Sequence, residues 1–306
     1  MKTLGEMGEH EAIRRLVGGL GSHPDLSVGA GDDCAVAHSP CSDFDQVFTS
    51  DPVIEHVHFL PTHAPGRIGN KAVGRVLSDM AAMGAHPQWI LVNVVAPPEL
   101  EMAFLEGIYA GMSALCGRFG GTIIGGDLAQ GKQLELHLFG TGILPAGTAL
   151  LRSGACAGDL IFVSGPLGCS IEGHHLDFVP RVEEGLFLRE SSGVGAVMDI
   201  SDGLTTDLRH ILAQSGVGAE LDVGRIPKNG TLEQALYDGE DYELLFTVRP
   251  DCAEALIEHW AERFGTPPAC VGRITPQPDK LSLSFPDGRV STLFDKAFEH
   301  FSGGRV

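Results

Sequence analysis

The sequence predicts an α+β protein of mixed α/β layers, in two domains whose sheets are covered by helices. Three observations predict it. Short apolar strands alternate with amphipathic helical stretches through both halves of the chain, which is the pattern of layered α and β elements. At 306 residues the chain is long enough for two domains with ample core. The turn at 145–147 and the glycine-rich segment 152–159 interrupt the alternation and place a boundary near residue 150, giving domains 1–150 and 151–306.

In chain order, residues 9–20 read as an amphipathic helix with Ile13, Leu16, Val17 and Leu20 on one face. The glycine-rich turn GAGDDCAVA follows, and 47–51 (VFTSD) is a strand ending in hydroxyls and an acid. Residues 66–85 form a helix rich in small residues, a sign of close packing. The unbroken apolar run 89–95 reads as a buried strand, stopped by Pro97-Pro98. Residues 99–119 are helical, 122–127 form a strand ending in glycines and an acid, and 133–142 alternate as a half-exposed strand. In the second half, strands are expected at 160–164, 194–199, 219–223, 241–248, 269–274 and 280–285. Helices are expected at 181–190, at 205–215 (closed by Gly216), at 231–237, at 251–264 and in the tail.

Charge narrows the function classes. With 40 acidic against 21 basic residues the formal charge is −19, which argues against nucleic acid, whose backbone demands Lys and Arg. Small phosphorylated ligands remain open if metal ions mediate. No apolar run approaches the ~20 residues of a membrane span, and 1–15 lack a signal-peptide apolar region. The cysteines number seven, with no C-x-x-C pair, so a reducing cytoplasm is expected rather than disulfides or zinc. His174-His175 reads as a pair of surface loop residues.

The chemistry centres on 198–203, MDISDG, where Asp199, Ser201 and Asp202 sit at the end of an apolar strand. Such a turn gathers oxygens around a hard cation, and Mg²⁺ prefers one or two carboxylates plus waters and phosphates. Alternatively, Ser201 or Asp202 caps the next helix, which leaves Asp199 unexplained. Glycine-flanked strand ends also carry Asp32-Asp33, Asp51 and Asp127, while Asp79 stands among apolar neighbours on a helix, an expensive place for a lone charge. Turn and cap roles explain any one of these acids; a ring of them predicts several Mg²⁺ ions held jointly with phosphates. Residues 126–132 have P-loop spacing, but Gln133 replaces the Ser or Thr and a strand follows, so a P-loop is rejected. Arg152, between the halves, suits either a phosphate or an interdomain salt bridge.

The motifs GDDCAV, TSD…VHF, LSDMAAMGA, IGGD, RSGA, MDISDGL, SGVGA and DGEDYELLFTV resemble the signatures of the thiamine-monophosphate kinases. That family lies in the ATP-binding superfamily of aminoimidazole ribonucleotide synthetase, and the likeness runs from about Gly5 to about Phe301. It implies two domains of the synthetase-like type and ATP- and Mg²⁺-dependent conversion of thiamine monophosphate to the diphosphate by direct in-line transfer. It also implies a homodimer through the N-terminal halves. By motif match, Asp33, Thr49, Ser50, Asp51, Asp79, Asp127, Asp199 and Asp202 would hold Mg²⁺, with Asp51, Asp127 and Asp202 catalytic. Gly126, Arg152 and Ser201 would contact ATP, and His58, Glu240 and Phe298 the thiamine phosphate, with Glu240 attracting the cationic thiazolium. The chain departs from the family pattern at GGDLAQG (usually GGDTTRG), at His56 (usually glycine) and in a shortened stretch 168–180. Two rival readings stand beside this one: a superfamily enzyme with another acceptor, and a non-catalytic nucleotide- or metal-binding module.

Overall fold

A computed structural model describes residues 9–18, 20, 23–38 and 42–293. The first half comprises helix α1 (Glu9–Val17), strands β1 (Leu26–Val28), β2 (Ala35–His38) and β3 (Phe44–Ile54), helix α2 (Pro65–Ala82), strand β4 (His86–Ala96), helix α3 (Met102–Arg118), and strands β5 (Thr122–Gln130) and β6 (Glu135–Pro145). The strands form a sheet in the order β1-β2-β3-β6-β4-β5. Only β4 and β5 run parallel, and α3 supplies the crossover that a parallel pair requires.

Helix α2 positions the site. Pro65 opens it, after an extended Ala64, as the restriction on a residue before proline demands. Its small residues allow backbone-to-backbone approach. A Cβ added at Gly69 would stand 2.0 Å from the Ile108 carbonyl of α3, and one at Gly111 would stand 2.1 Å from that of Gly66. Substitution at either glycine would force the helices apart.

In the second half, β7 (Leu160–Val163) leads through a 3-10 turn (Ser170–Glu172) to the short helix α4 (His174–Asp177) and helix α5 (Val182–Glu190). Then come β8 (Val194–Asp199), α6 (Leu204–Ser215), β9 (Gly218–Asp222), α7 (Leu232–Tyr237), β10 (Leu244–Val248), α8 (Pro250–Phe264), β11 (Ala269–Thr275), β12 (Leu281–Ser284) and β13 (Val290–Thr292). The sheet order is β13-β12-β9-β11-β7-β10-β8. Gly216 ends α6 in the left-handed conformation (φ 67°), as expected of a C-terminal glycine. Between the halves, α2 packs on α5 and β8; a Cβ at Gly185 of α5 would lie 2.0 Å from the Ala81 carbonyl.

Three expectations change. The run 89–95 is not buried throughout: Ile90, Val92 and Val94 face the helices, while Trp89 and Leu91 are exposed on the other face. An unbroken apolar run can serve two faces as well as one buried layer. The strand expected at 241–248 begins only at Leu244, because Glu240 and Tyr242 take positive φ (65° and 51°) and turn the chain. His174-His175 is not a surface loop; it opens α4, and His175 is buried. The tail helix lies outside the described residues. Among the described residues no helix is long and apolar enough to cross a membrane.

Candidate active site

Three carboxylates meet where α2 crosses the junction. Asp33 comes from the turn before β2, Asp79 from the last turn of α2, and Asp199 from the end of β8; one oxygen of each lies within 4.8 Å of the others. Asp33 and Asp199 are buried. The Thr49 hydroxyl donates to Asp79, and Ser78 Oγ donates to Asp199 Oδ2 at 2.5 Å. Arg152 donates to Asp33 from Nη2 at 2.7 Å and from Nε at 3.2 Å. Of the two roles open to Arg152, the ion pair between the halves is the one seen.

Burial and mutual repulsion govern this cluster. Burial first, then the neighbouring Asp33, pushes Asp199 up to about 7 and Asp32 to about 6. Asp79 rises well above the usual carboxylate range through burial, followed by the charges of Asp51, Asp199 and Asp33. The donors are all hard oxygens at chelating separation, and they are short of positive charge. That chemistry fits Mg²⁺, which takes a few carboxylates and completes its shell with water and phosphate oxygens.

The turn after β8 is laced to the stretch before β10. Glu240 N donates to Ser201 O at 2.7 Å, Tyr242 N to Ile200 O at 2.8 Å, and Ile200 N to Glu243 O at 2.8 Å. Neither Ser201 nor Asp202 caps α6; its N-cap is Gly203, with no side-chain cap bond. Instead, the buried Asp207 of α6 accepts from Asp202 N at 3.0 Å, which anchors the turn from behind.

Beside the carboxylates lies a basic cluster. Lys71 Nζ, fully buried, donates to His58 O at 2.7 Å and to Glu240 Oε2 at 2.5 Å, and lies 2.7 Å from His175 Nδ1. His175 Nδ1 is also 3.0 Å from Glu240 Oε2; it either accepts from Lys71 or donates to Glu240, since one ring nitrogen cannot do both. Burial lowers Lys71 to about 8 against the opposing pull of Glu240. Burial works against the Glu240 charge, yet the His175 hydrogen bond and Lys71 bring its carboxyl down to about 2. Arg75 spans the two clusters, with Nη2 at 2.9 Å from Asp51 Oδ1 and Nη1 at 3.6 Å from Glu240 Oε1. Glu240 is therefore already engaged by two cations, Lys71 and Arg75, with His175 beside them.

Some expected residues do not join this gathering within one chain. Strand alternation puts Ser50 on the opposite face of β3 from Thr49 and Asp51, where its Oγ donates to Leu138 O. Asp127 on β5 pairs across the sheet with Asn93, Asn93 with His137, and His137 with Pro52. It is exposed, three strands from β3, on the face opposite Asp51. Gly126 lies beside it, where a Cβ would stand 1.8 Å from Val92 O. His58 is buried, with its Nδ1 accepting from Ile54 N; Phe298 lies outside the described residues. Sequence reasoning missed Lys71, Arg75, His175 and Asp207. A signal for the first two was present: Lys71, Arg75 and Asp79 recur every four residues, a single stripe along a helix.

The family model described as AIR synthase related protein, N-terminal domain, matches residues 31–144, and that of the C-terminal domain matches 175–283. The thiamine-monophosphate kinase of Salmonella typhimurium is 34% identical over 327 residues, covering 96% of this chain and 98% of the relative. Among solved structures, AaThiL complexed with AMPPCP and TMP is similar at TM-score 0.82 and 27% identity, covering 98% of this chain and 99% of the other. The thiamine-monophosphate kinase of Stenotrophomonas maltophilia K279a is similar at TM-score 0.73 and 32% identity, covering 92% and 96%.

Proposed function

The chain belongs to the thiamine-monophosphate kinase family, and from that membership we propose how its residues work. It phosphorylates thiamine monophosphate with ATP, giving thiamine diphosphate and ADP. The observation that carries the reading is the convergence of Asp33 and Asp79 from the first half with Asp199 from the second, beside the basic cluster of Lys71 and Arg75.

Two polyanions must meet for this reaction, so charge cancellation takes precedence over proton transfer. Mg²⁺ held by Asp33, Asp79 and Asp199, with Asp51 adjoining, would supply that cancellation. The acceptor phosphate is ionised near neutral pH and needs no general base. The chain's own contribution is positioning and electrostatic stabilisation, as in phosphoryl transfer generally. Thr49 and Ser78 orient two of the carboxylates. Lys71, Arg75 and His175, gathered by Glu240, form the acceptor end, and transfer runs in line between the two ends without a phospho-enzyme.

The working unit is proposed to be a homodimer. The outer face of the first sheet exposes Trp89, Leu91 and Phe139, a contiguous apolar patch that a second copy would cover. Asp127 and Gly126 lie at the edge of that same sheet, so a partner subunit brings them toward the other copy's carboxylates. Ser50 and the turn residues Ser201 and Asp202 keep their proposed nucleotide and metal roles in that assembly, and the cytoplasm is the compartment proposed. The test is ADP formation with Mg-ATP, with and without thiamine monophosphate, and identification of the product. No stimulation and no diphosphate would sink the acceptor.

A further inference from the structure

Among the described residues, two buried polar atoms at the junction have no hydrogen-bond partner: Arg75 Nε and the Tyr242 hydroxyl. Tyr242 has no part in the reaction as proposed above, and Arg75 has only the charge it lends to the acceptor end. Arg75 is held at its far end by Asp51 and Glu240, which leaves the Nε–H in search of an acceptor. Tyr242 is buried and locked in place. Its ring stacks on Phe178 at 4.0 Å between centroids and 17° between planes. The Phe178 ring in turn fills the gap at Gly74, where an added Cβ would meet it at 2.7 Å. Tyr242 is thereby carried against α2 next to Arg75, and its hydroxyl feels the charges of Arg75, Glu240, Asp51 and Asp199.

The backbone at Tyr242 is also costly. Glu240 and Tyr242 both take left-handed φ (65° and 51°) without being glycine, and such strain persists where the surroundings enforce it, often at functional sites. An unsatisfied buried donor costs free energy comparable to a lost hydrogen bond. The two side chains lie near enough to feel each other's charge, and both feel Asp51 and Glu240, so one occupant that accepts from both would satisfy them. A phosphate monoester oxygen does so, and the positive charge of Arg75 and Lys71 favours it.

We propose that Arg75 Nε and the Tyr242 hydroxyl form the subsite for the acceptor's phosphate, holding it between the Asp33–Asp79–Asp199 cluster and Glu240. This rests on the acceptor reading above. The subsite recognises the phosphate and not the thiamine rings, so it sets apart thiamine monophosphate from unphosphorylated thiamine.

Calorimetric titration of the full chain with Mg²⁺, using thiamine monophosphate and thiamine as separate ligands, tests it. Tyr242→Phe removes one hydroxyl and preserves the stack on Phe178. It should weaken binding of the monophosphate by about 10-fold or more, the size of a hydrogen bond to a charged group, and leave thiamine binding unchanged. Arg75→Lys, which retains charge without the planar fork, should show the same selective loss. Equal losses for both ligands, or no loss in Tyr242→Phe, overturn the subsite, because a purely structural role or a bound water cannot distinguish the two. If the wild type binds neither ligand, the acceptor reading fails by itself. The subsite is then decided by inorganic phosphate, which should raise the melting temperature of the wild type and not of Tyr242→Phe; an equal rise in both overturns it.

Discussion

Ser78 Oγ reaches across the junction of the two halves to donate to Asp199 Oδ2 at 2.5 Å. The bond ties the last turn of α2 to the end of β8, and it holds an acid that burial and Asp33 push up to about 7. Ser78→Ala leaves that buried carboxyl without its donor and should cost about 1–3 kcal/mol. Asp199→Asn keeps an acceptor for Ser78 and removes one of several crowded charges. It should melt at or above the wild type in EDTA while losing turnover and the Mg²⁺ response. Thermal melts in EDTA check both, and an unchanged Ser78→Ala melt would remove the bond from the stability of the junction.

The same acids set a pH dependence. Asp199 at about 7 and Asp32 at about 6 lie above the ordinary carboxylate value of ~3.9, so the fold prefers their protonated forms. Their contribution is complete at low pH and is lost as pH rises through about 6 to 7. Mg²⁺ binds the ionised form. The rise in melting temperature on adding Mg²⁺ should therefore be larger at pH ~7.5 than at pH ~5.5. Comparing melts with and without Mg²⁺ at each pH cancels groups remote from the cluster, including Asp241 at about 7. An equal shift at both pH values would contradict the assignment.

Asp127 offers a test of assembly. If it serves the partner's site, Asp127→Asn and Asp79→Asn are each inactive alone. Mixing and refolding them in equal amounts should restore about a quarter of wild-type activity, because half the dimers are mixed and each has one intact site. No recovery, with dimers confirmed by light scattering, would place Asp127 in its own chain's site or outside it altogether.

Lys71 and Glu240 form the most deeply enclosed ion pair of the basic cluster beside the carboxylates. Lys71→Met leaves Glu240 leaning on Arg75 and His175 alone and should destabilise by about 3–5 kcal/mol, the cost of breaking a buried pair. Adding Glu240→Gln should recover much of that loss, since it removes the charge left uncompensated. Urea unfolding of the four proteins measures the coupling. Additive losses would mean that the two side chains do not depend on each other.

Much of this fold could be read from residue order, because period and punctuation were strong. The strand into MDISDG, the helix ended by Gly216 and the close-packed small-residue helix all stand where their patterns put them. Asp33, Asp79 and Asp199 were legible as acids in apolar settings, and they converge. Lys71 and Arg75 obey the same logic, but their signal is a stripe along a helix and not an acid at a strand end. His175 carried no local signal; its burial comes from Lys71 and Glu240, which are 104 and 65 positions away in sequence order. The outward face of β4 was hidden because a continuous apolar run does not say which of its residues stay exposed, as Trp89 and Leu91 do.

The stripe on α2 has a geometric consequence. At 1.5 Å per residue, Lys71, Arg75 and Asp79 are rungs about 6 Å apart on one rigid rod. In the proposed reaction the rod would graduate the path from the acceptor's phosphate to the nucleotide's, and its spacing does not depend on how tightly the halves are closed. Glu240 and Asp199 belong to the other half: Glu240 pairs with Lys71 at the first rung, and Asp199 lies beside Asp79 at the last. A hinge between the halves would leave the gauge intact and unlatch it at both ends together, so loosening at either end is felt at the other.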